Sequence, residues 1–200
     1  MNKIVKYVGL LLFISISASC AAQKSKVTRV DATTTVDMSG RWNDVDSRLV
    51  AEEMITSSLN ESWLRRFREL HDGAKPVVIV GLIRNKTHEH IESETFINDM
   101  EREYIKAGLV RVVQHSIFRE KLREERADQQ DFADPATQKK FGKELGADFM
   151  IVGSINSIVD QTSKGKQQMI FYKVNLEITD LETNEIVWVG DKEIKKIVKK

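Results

Sequence analysis

The chain has 200 residues, of which 41% are hydrophobic and 30% are charged, and its formal net charge at pH 7 is +1. These values are typical of one globular domain with a leader or tail, and they argue against a disordered or fibrous chain. The near-neutral balance of interspersed acids and bases also argues against a protein that binds a nucleic-acid backbone.

The first nineteen residues have the pattern of an export signal. Lys3 and Lys6 form a basic start, residues 8–16 are apolar, and the small residues 17–19 follow. The apolar run is too short to cross about 30 Å of hydrocarbon comfortably as a helix. We therefore expect residues 1–19 to be a cleaved leader rather than a membrane-spanning anchor.

Cys20 is the only cysteine of the chain and stands where cleavage of the leader is expected. A single cysteine in an exported protein cannot form an internal disulfide. Its position behind Ser17-Ala18-Ser19 resembles a bacterial lipobox, in which the thiol is diacylated and becomes the mature N-terminus. Each buried CH₂ contributes about 0.8 kcal/mol, so several acyl chains hold a protein on a membrane. We favour lipid attachment at Cys20 over the alternative, an ordinary signal peptide with an incidental thiol.

Two further regions follow the leader. Residues 20–40 are polar after Cys20 and lack a sustained helical pattern, which predicts a lipidated tether. Twenty residues reach roughly 70 Å when fully stretched. The globular domain is predicted over residues 41–200.

The domain is predicted to open with a helix. Asn43 or Asp44 can cap its exposed N–H groups, and apolar residues follow at three- and four-residue steps as far as Leu70. The weak helix formers at residues 57–62 favour a break into two helices. The helical stretch is predicted to end at residues 71–73, where Gly73 can adopt the conformation of a helix end.

The middle of the domain alternates between strands and helices. The run Val77–Ile83 is almost continuously apolar, which indicates a strand covered on both faces. Glycines after apolar periodic stretches mark helix ends. The other elements predicted here are a helix over 94–107 ended by Gly108, a strand over 109–113, a helix over 116–127, and a helix from Asp134 that contains Pro135, Phe141 and Leu145 and stops at Gly146.

The last third of the chain is predicted to be β-structure. In its middle strand, Val174, Leu176 and Ile178 alternate with polar residues, so one face is buried. Two hairpins in series give an antiparallel meander that the preceding helices can cover. The predicted strands are 148–159, 169–179 and 186–194, with turns at 163–166 and 182–185. The predicted fold class is α/β (α+β), a single mixed, largely antiparallel sheet of four to five strands flanked by about four helices.

A basic cluster lies at the end of the sequence, formed by Lys192, Lys195, Lys196, Lys199 and Lys200. Such a cluster can contact an acidic partner or anionic lipid. The favoured interpretation is a solvated strand end followed by a fraying tail.

The residue types do not indicate catalysis. His88 and His90 are two residues apart with Glu92 nearby, but a zinc helix needs i, i+4 spacing, so a solvated loop is favoured. Neither a serine nucleophile motif nor a phosphate-binding glycine pattern occurs in the sequence. We predict a domain that is not an enzyme, with no metal, no small-molecule substrate and no cofactor except the lipid on Cys20.

Five stretches together resemble a known family, at residues 36–44, 76–81, 125–130, 146–156 and 180–188. The pattern is similar to the LpoB family of outer-membrane lipoproteins, the activators of class A penicillin-binding proteins, and the likeness covers residues 36–198. The strand entry Gly146-Ala147-Asp148 and the hairpin before Trp188 also occur in TolB N-terminal and curli-secretion domains. These two stretches therefore indicate fold more than function.

The resemblance implies a non-catalytic activator with a TolB N-terminal-domain-like fold. Its partner would be a class A penicillin-binding protein, and binding would shift that peptidoglycan synthase towards its active conformation. The lipid would lie in the outer membrane, with the domain facing the periplasm, and we expect a monomer. The alternative is an envelope secretion-pore or assembly lipoprotein of the curli-export kind, which would need extra barrel-forming segments.

Five residues are candidates for partner contact because they lie in the most distinctive stretches: Arg41, Trp42, Arg126, Asp128 and Gln129. Arginine and tryptophan are enriched at interface hot spots. The alternative is structural, with Trp42 packed under the first helix and Arg126–Asp128 capping a helix end. The sequence leaves both interpretations open.

Overall fold

The structure is a computed structural model that describes residues 28–31, 34–36, 39–134, 136–137, 144–161 and 167–199. The chain divides into two units, residues 1–34 and residues 35–200. The described part of the first unit contains neither helix nor strand, and its Thr34 N–H donates to the Asp31 carbonyl over 3.0 Å. The predicted leader, Cys20, most of the tether and the turn at 163–166 lie outside the described residues.

The described part of the chain forms four helices. They are α1 (Asp44–Leu59), α2 (Ser62–Leu70), α3 (Ser93–Ala107) and α4 (Ser116–Phe132). None of the helices in these ranges is long and apolar enough to cross a bilayer.

The helix boundaries near the start of the domain confirm the predicted signals. The Asn43 side chain accepts from the Asp46 N–H over 3.1 Å, and the Asp46 carboxylate accepts from the Asn43 N–H over 2.9 Å, which is a reciprocal capping box. The predicted break falls between α1 and α2. There the Trp63 indole donates to the Ser58 carbonyl over 2.7 Å. This bond satisfies one of the carbonyl groups at the end of α1, which lack partners within the helix.

Two helix predictions differ from the structure in extent. α4 continues five residues past its predicted end at 127, to Phe132. Residues 144–147 form neither helix nor strand, so the helix predicted from Asp134 does not reach its predicted end. Near Asp134 the described residues form a turn, because the Thr137 N–H donates to the Asp134 carbonyl over 2.9 Å. Phe141 and the rest of that segment lie outside the described residues.

One mixed sheet contains five strands, β1 (Val77–Asn85), β2 (Arg111–Val113), β3 (Phe149–Gln161), β4 (Gln167–Asp180) and β5 (Ile186–Lys199). Their order in the sheet is β2-β1-β3-β4-β5. β1 pairs in parallel with β2 and β3, whereas β3, β4 and β5 form the predicted antiparallel meander. This arrangement with its four helices confirms the predicted fold class.

The hydrophobic core lies between the sheet and the first three helices. Helix α3 contributes Phe96, Met100 and Tyr104, all fully buried, and the alternation predicted for β4 places its apolar residues on this face. Ser58 Oγ of α1 lies 2.8 Å from Tyr104 Oη, so the two buried hydroxyls satisfy each other. Burial raises the pKa of the Tyr104 hydroxyl above its usual value. Tyr104 is therefore neutral in this core.

The first four residues of β1 are buried on both faces, as their apolar run predicts. Val78 and Val80 lie in the main core, and Val77 and Ile79 are buried on the opposite face. A register shift then follows between Val80 and Ile83. Between these positions β1 has one more residue than β3, so the alternation of side chains between the two faces of the sheet reverses. Ile83 therefore lies in the core and Leu82 is exposed.

Gly153 in β3 allows β3 and β4 to approach closely. A Cβ at this position would lie 2.2 Å from the Asn175 carbonyl oxygen and 2.6 Å from Leu176 Cδ2. The first of these atoms is backbone of the paired strand, so the clash cannot be relieved by a rotamer change.

Gly153→Ala is expected to lower the free energy of unfolding by about 1–3 kcal/mol, because overpacking at a backbone contact forces the strands apart. Urea denaturation measures the loss. Gly146→Ala is the matched control, since nothing lies within 4 Å of its added Cβ; it should change stability by less than about 0.5 kcal/mol. Equal stabilities of the two variants would contradict this account of the β3–β4 contact.

Candidate functional site

The chain enters the folded domain at Gly40–Asn43, where buried polar groups hold it. The Trp42 N–H donates to Glu89 Oε2 over 3.1 Å. The hydroxyl of Tyr172, on β4, lies 2.6 Å from Glu89 Oε1 and 3.1 Å from the Gly40 carbonyl. Burial raises the pKa of the Tyr172 hydroxyl, and the bonded Glu89 raises it further, so the hydroxyl stays protonated and donates.

A buried ion pair completes this group of contacts. Lys196 Nζ of β5 lies 2.6 Å from Asp46 Oδ2 of α1, and both side chains are 9% exposed. The same ammonium group donates to the Arg41 carbonyl over 3.1 Å. We call these residues the entry cluster: Gly40–Asn43, Asp46, Glu89, Tyr172 and Lys196. It fixes the start of the domain to α1, β4, β5 and the loop that follows β1.

The entry cluster places the first two candidate contact residues. Trp42 is half-buried, and its indole N–H donates to Ser47 Oγ over 2.8 Å. Its ring meets Tyr172 and Phe96 edge-on, at centroid distances of 5.5 and 6.4 Å. Arg41 is exposed. The packing proposed for Trp42 under the first helix is therefore present, while the Arg41 side chain stays on the surface.

The other three candidates lie on α4, which carries a group of three arginines on one side. The guanidinium of Arg123 donates two parallel hydrogen bonds of 2.9 Å to the Glu144 carboxylate, and Arg126 Nη1 adds a third over 3.3 Å. Arg119 Nε lies 3.9 Å from the same carboxylate. The hydrogen bond from Arg123 is the main reason that the pKa of Glu144 lies below its usual value. We call Arg119, Arg123 and Arg126 the arginine face.

Gln129 stands beside that face, whereas Asp128 lies on the opposite side of α4, because successive residues of an α-helix are about 100° apart. Asp128 is exposed, and the Gln129 amide donates to Glu125 Oε1 over 3.0 Å. Because α4 extends to Phe132, residues 126–128 lie inside the helix. The alternative that Arg126–Asp128 caps a helix end is therefore wrong.

Helix α4 also exposes apolar side chains. Phe118 and Leu122, one helical turn apart, are 43% and 45% exposed, and Phe132 is 87% exposed. None of the α4 side chains that the structure describes is buried. A surface that combines arginines with aromatic and aliphatic groups is typical of protein-binding sites.

The two sets of candidates have different contacts. Arg41 and Trp42 are tied to α1, β4 and β5, whereas Arg126 and Gln129 contact Glu144 and Glu125. We therefore treat α4 as the candidate docking surface and the entry cluster as a structural junction.

Three members of the entry cluster, Glu89, Tyr172 and Lys196, are not among the residues that the sequence predicts to form a site. Glu89 lies between the two histidines of the loop, no sequence motif marks Tyr172, and Lys196 is predicted to lie in a solvated strand end or fraying tail. That assignment is wrong, because β5 continues to Lys199 and Lys196 is buried against Asp46. Lys196 is two residues from Ile194 and Val198, so strand periodicity could have placed it on their face.

The histidine loop lies at the surface. His88 and His90 are exposed, and His90 Nε2 is 3.8 Å from a carboxylate oxygen of Glu92. Within the ranges described above, no group of three or more His, Cys, Asp or Glu side chains could hold a metal ion. The arrangement supports the surface-loop interpretation of residues 88–90.

A shallow groove of about 650 Å³ lies on the sheet face away from α1 and α3. Arg84 and Lys86 line its β1 side, and Glu177 and Asp191 line its β4–β5 side. The groove is open and its charges are mixed, so it does not select one class of ligand.

Comparison with known sequences identifies a family. A sequence profile described as "Peptidoglycan-synthase activator LpoB" matches residues 46–194, which include most of α1 and most of β5. No curated protein sequence matches the chain.

Solved structures with a similar chain trace include the LpoB C-terminal domains of Salmonella enterica and Escherichia coli. The Salmonella enterica domain is 14% identical, with 76% of this chain and 99% of that chain covered and a TM-score of 0.46. The Escherichia coli domain is 13% identical, with 76% and 99% covered and a TM-score of 0.45. Lipoprotein GNA1162 from Neisseria meningitidis is 10% identical, with 60% and 83% covered and a TM-score of 0.39.

Proposed function

The chain belongs to the LpoB family of peptidoglycan-synthase activators, and from this premise we propose that it binds and activates a class A penicillin-binding protein. The family match over residues 46–194 is the observation that carries the proposal. The protein itself catalyses nothing in this scheme. It acts as a regulator of cell-wall synthesis.

Lipid attachment at Cys20 places the domain in the envelope. The thiol carries a diacylglycerol and the new N-terminus a fatty acyl chain, such as palmitate, and together these hold the protein on the outer membrane with the domain in the periplasm. The apolar leader before Cys20 supports this proposal. Mass spectrometry of the native protein tests it, since an intact Met1 or an unmodified thiol would exclude the anchor.

Activation follows from preferential binding. If the domain binds the active conformation of the synthase more tightly than the inactive one, it shifts the population towards the active state. A coupling of about 1–3 kcal/mol corresponds to a shift of roughly 5- to 150-fold. No bond is made or broken by the activator.

Helix α4 is the proposed contact surface for the synthase. Its arginine face offers planar groups that can bind carboxylates with paired hydrogen bonds, and the nearby Phe118 and Leu122 offer apolar area. An acidic surface with an apolar centre is the complementary partner. Glu144 accepts two hydrogen bonds from Arg123. This pair indicates how a carboxylate of the synthase would bind the arginine face.

A reconstituted assay tests the activity. The protein is added to a purified class A synthase from the same cell in detergent, and the rate of glycan polymerisation is measured. We expect the rate to rise with saturation as the activator is added, and the activator alone to form no product. An unchanged rate, with no binding detected by a pull-down from membranes, would contradict the proposed function.

Arg126→Glu is expected to weaken binding to the synthase at least tenfold, because it places a like charge against the acidic partner surface. Surface plasmon resonance with the immobilised synthase measures the change. The matched control is Arg65→Glu on α2, whose side chain is 74% exposed and pairs with Glu69 at 3.9 Å. If both folded variants bind like the wild type, α4 is not the contact surface.

A further inference from the structure

Two buried polar atoms lie where α3 meets the start of α4, the candidate docking surface. They are Glu101 Oε1 of α3 and His115 Nε2, and neither has a hydrogen-bond partner among the residues that the structure describes. A buried polar atom without a partner destabilises a fold, so folded proteins rarely contain one. Two such atoms with opposite acid–base character at one contact indicate a role beyond packing.

Glu101 lies on the inward face of α3. Ile97 precedes it by four residues and Tyr104 follows it by three, and both of these side chains pack in or against the core. Residues at these spacings lie on one face of a helix. Burial raises the pKa of the Glu101 carboxyl above its usual value, whereas the positive charge of a protonated His115 lowers it. The ionised carboxylate is therefore stabilised when His115 carries a charge.

His115 is the residue immediately before α4. Its carbonyl accepts a hydrogen bond from the Arg119 N–H over 3.1 Å, but its side chain makes no capping hydrogen bond to the helix. Its ring meets Phe118 edge-on, at a centroid distance of 5.1 Å. The imidazole is thus attached to the first turn of α4, so a contact between this ring and α3 fixes the start of the helix that carries the arginine face.

The charges around this imidazole have opposite effects on its protonation. The N-terminus of α4 and the guanidinium of Arg119, which donates to the Gln114 carbonyl over 2.8 Å, both disfavour an imidazolium. Arg119 also lies 3.9 Å from the Glu144 carboxylate, which offsets part of its charge. The Glu101 carboxylate of α3 favours the imidazolium. Protonation of His115 is therefore coupled to its contact with Glu101.

We propose that Glu101 and His115 form a pH-dependent ion pair that fixes α4 against α3. At mildly acidic pH His115 is protonated, so its Nε2 atom carries a proton that it donates to the Glu101 carboxylate. At higher pH the imidazole is neutral, the ion pair is absent, and the first turns of α4 are held less firmly. The pair regulates how the arginine face is presented, and this link to the synthase rests on the proposed function.

Both titrations give the pH effect the same direction. Histidine side chains usually titrate at about pH 6.5, so a change from about pH 7.5 to about pH 6 charges an imidazole and creates the ion pair. The same change brings the solution closer to the raised pKa of the Glu101 carboxyl, which lowers the cost of burying that group. The contact between α3 and α4 therefore strengthens as the pH falls through this range.

Hydrogen exchange of the full chain in detergent, without the synthase, tests the ion pair. After correction for the intrinsic pH dependence of exchange, amides 119–124 of α4 should be at least about threefold better protected at about pH 6 than at about pH 7.5. Glu101→Gln and His115→Gln should each abolish this difference, and the double variant should match either single variant, because the groups act together. Equal protection of the wild type at both pH values, or a difference that persists in either variant, would overturn the proposal.

His90→Gln is the matched control. His90 Nε2 lies 3.8 Å from a carboxylate oxygen of Glu92, but the His90 side chain is 94% exposed. Exposed pairs contribute little, so this variant should keep the full difference in protection of α4. Loss of the difference in His90→Gln would show that removal of any histidine has this effect, and it would overturn the role of His115.

Affinity for the synthase tests the link to docking. The ratio of the affinities of the wild type and Glu101→Gln cancels any titration of the synthase itself. We expect this ratio to rise at least about threefold between about pH 7.5 and about pH 6. A constant ratio alongside the exchange difference would overturn the regulation of docking. Absence of binding at both pH values would contradict the proposed function, while the exchange result decides the ion pair independently of binding.

Discussion

Lys196→Met is expected to lower the free energy of unfolding by about 3–5 kcal/mol, the cost of breaking a buried ion pair by removing one partner. The substitution leaves the Asp46 carboxylate buried, with the Asn43 N–H as a remaining donor. It also removes the donor to the Arg41 carbonyl. Urea denaturation followed by circular dichroism measures the loss.

Lys192→Met provides the matched control on the same strand and face. Its ammonium pairs with Glu53, but that carboxylate is 59% exposed. Exposed pairs contribute about 0–1 kcal/mol, so Lys192→Met should cost less than about 1 kcal/mol. Similar losses in the two variants would show that the entry cluster does not depend on its buried ion pair.

Trp42→Ala is expected to cost about 3 kcal/mol, the lower end for removal of a packed tryptophan, because the ring is half-buried. The loss includes its edge contacts with Tyr172 and Phe96. The thermal unfolding midpoint measured by calorimetry reports the change.

Trp42→Phe distinguishes a role of Trp42 in stability from a role in contact with the partner. It keeps an aromatic ring but removes the indole hydrogen bond to Ser47, which contributes about 1 kcal/mol. If Trp42 serves only the fold, folded Trp42→Phe binds the synthase with unchanged affinity. A tenfold loss of affinity at intact stability would instead place Trp42 in the docking surface.

Local signals in the sequence predict much of the fold. Gly108 ends α3 in the left-handed conformation at φ 66°, as a glycine after an apolar periodic stretch predicts. The capping pattern at Asn43 and the alternation of β4 depend on residues close together in sequence, so they are readable without the structure. These signals identified the mixed fold and four of the five strands to within a few residues.

The contacts that fix the entry cluster are less accessible to sequence reasoning. Glu89 and Tyr172 are 83 positions apart, and Asp46 and Lys196 are 150 positions apart. No periodicity links such pairs, because their proximity depends on the order of strands in the sheet. Strand periodicity could have placed Lys196 on the same face as Ile194 and Val198, but it does not identify Asp46 as its partner.

The length of α4 shows a second limit. Its charged and amide residues form helices readily, but they carry no apolar periodicity to mark where the helix ends. The helix extends to Phe132, and Phe132 itself is exposed. The candidate residues Arg126, Asp128 and Gln129 could be placed in a distinctive stretch from sequence, but the contact of Arg126 with Glu144 required the structure.

The entry cluster also determines where mechanical load enters the domain. A pull on the segment before Ser39 is passed through the Gly40 carbonyl to Tyr172, and through the Trp42 N–H to Glu89. Lys196 links the Arg41 carbonyl to β5. The load is thus shared by β4, β5 and the loop after β1, so unfolding cannot begin at the first turn of α1 alone. The domain would keep its shape under tension applied at this end.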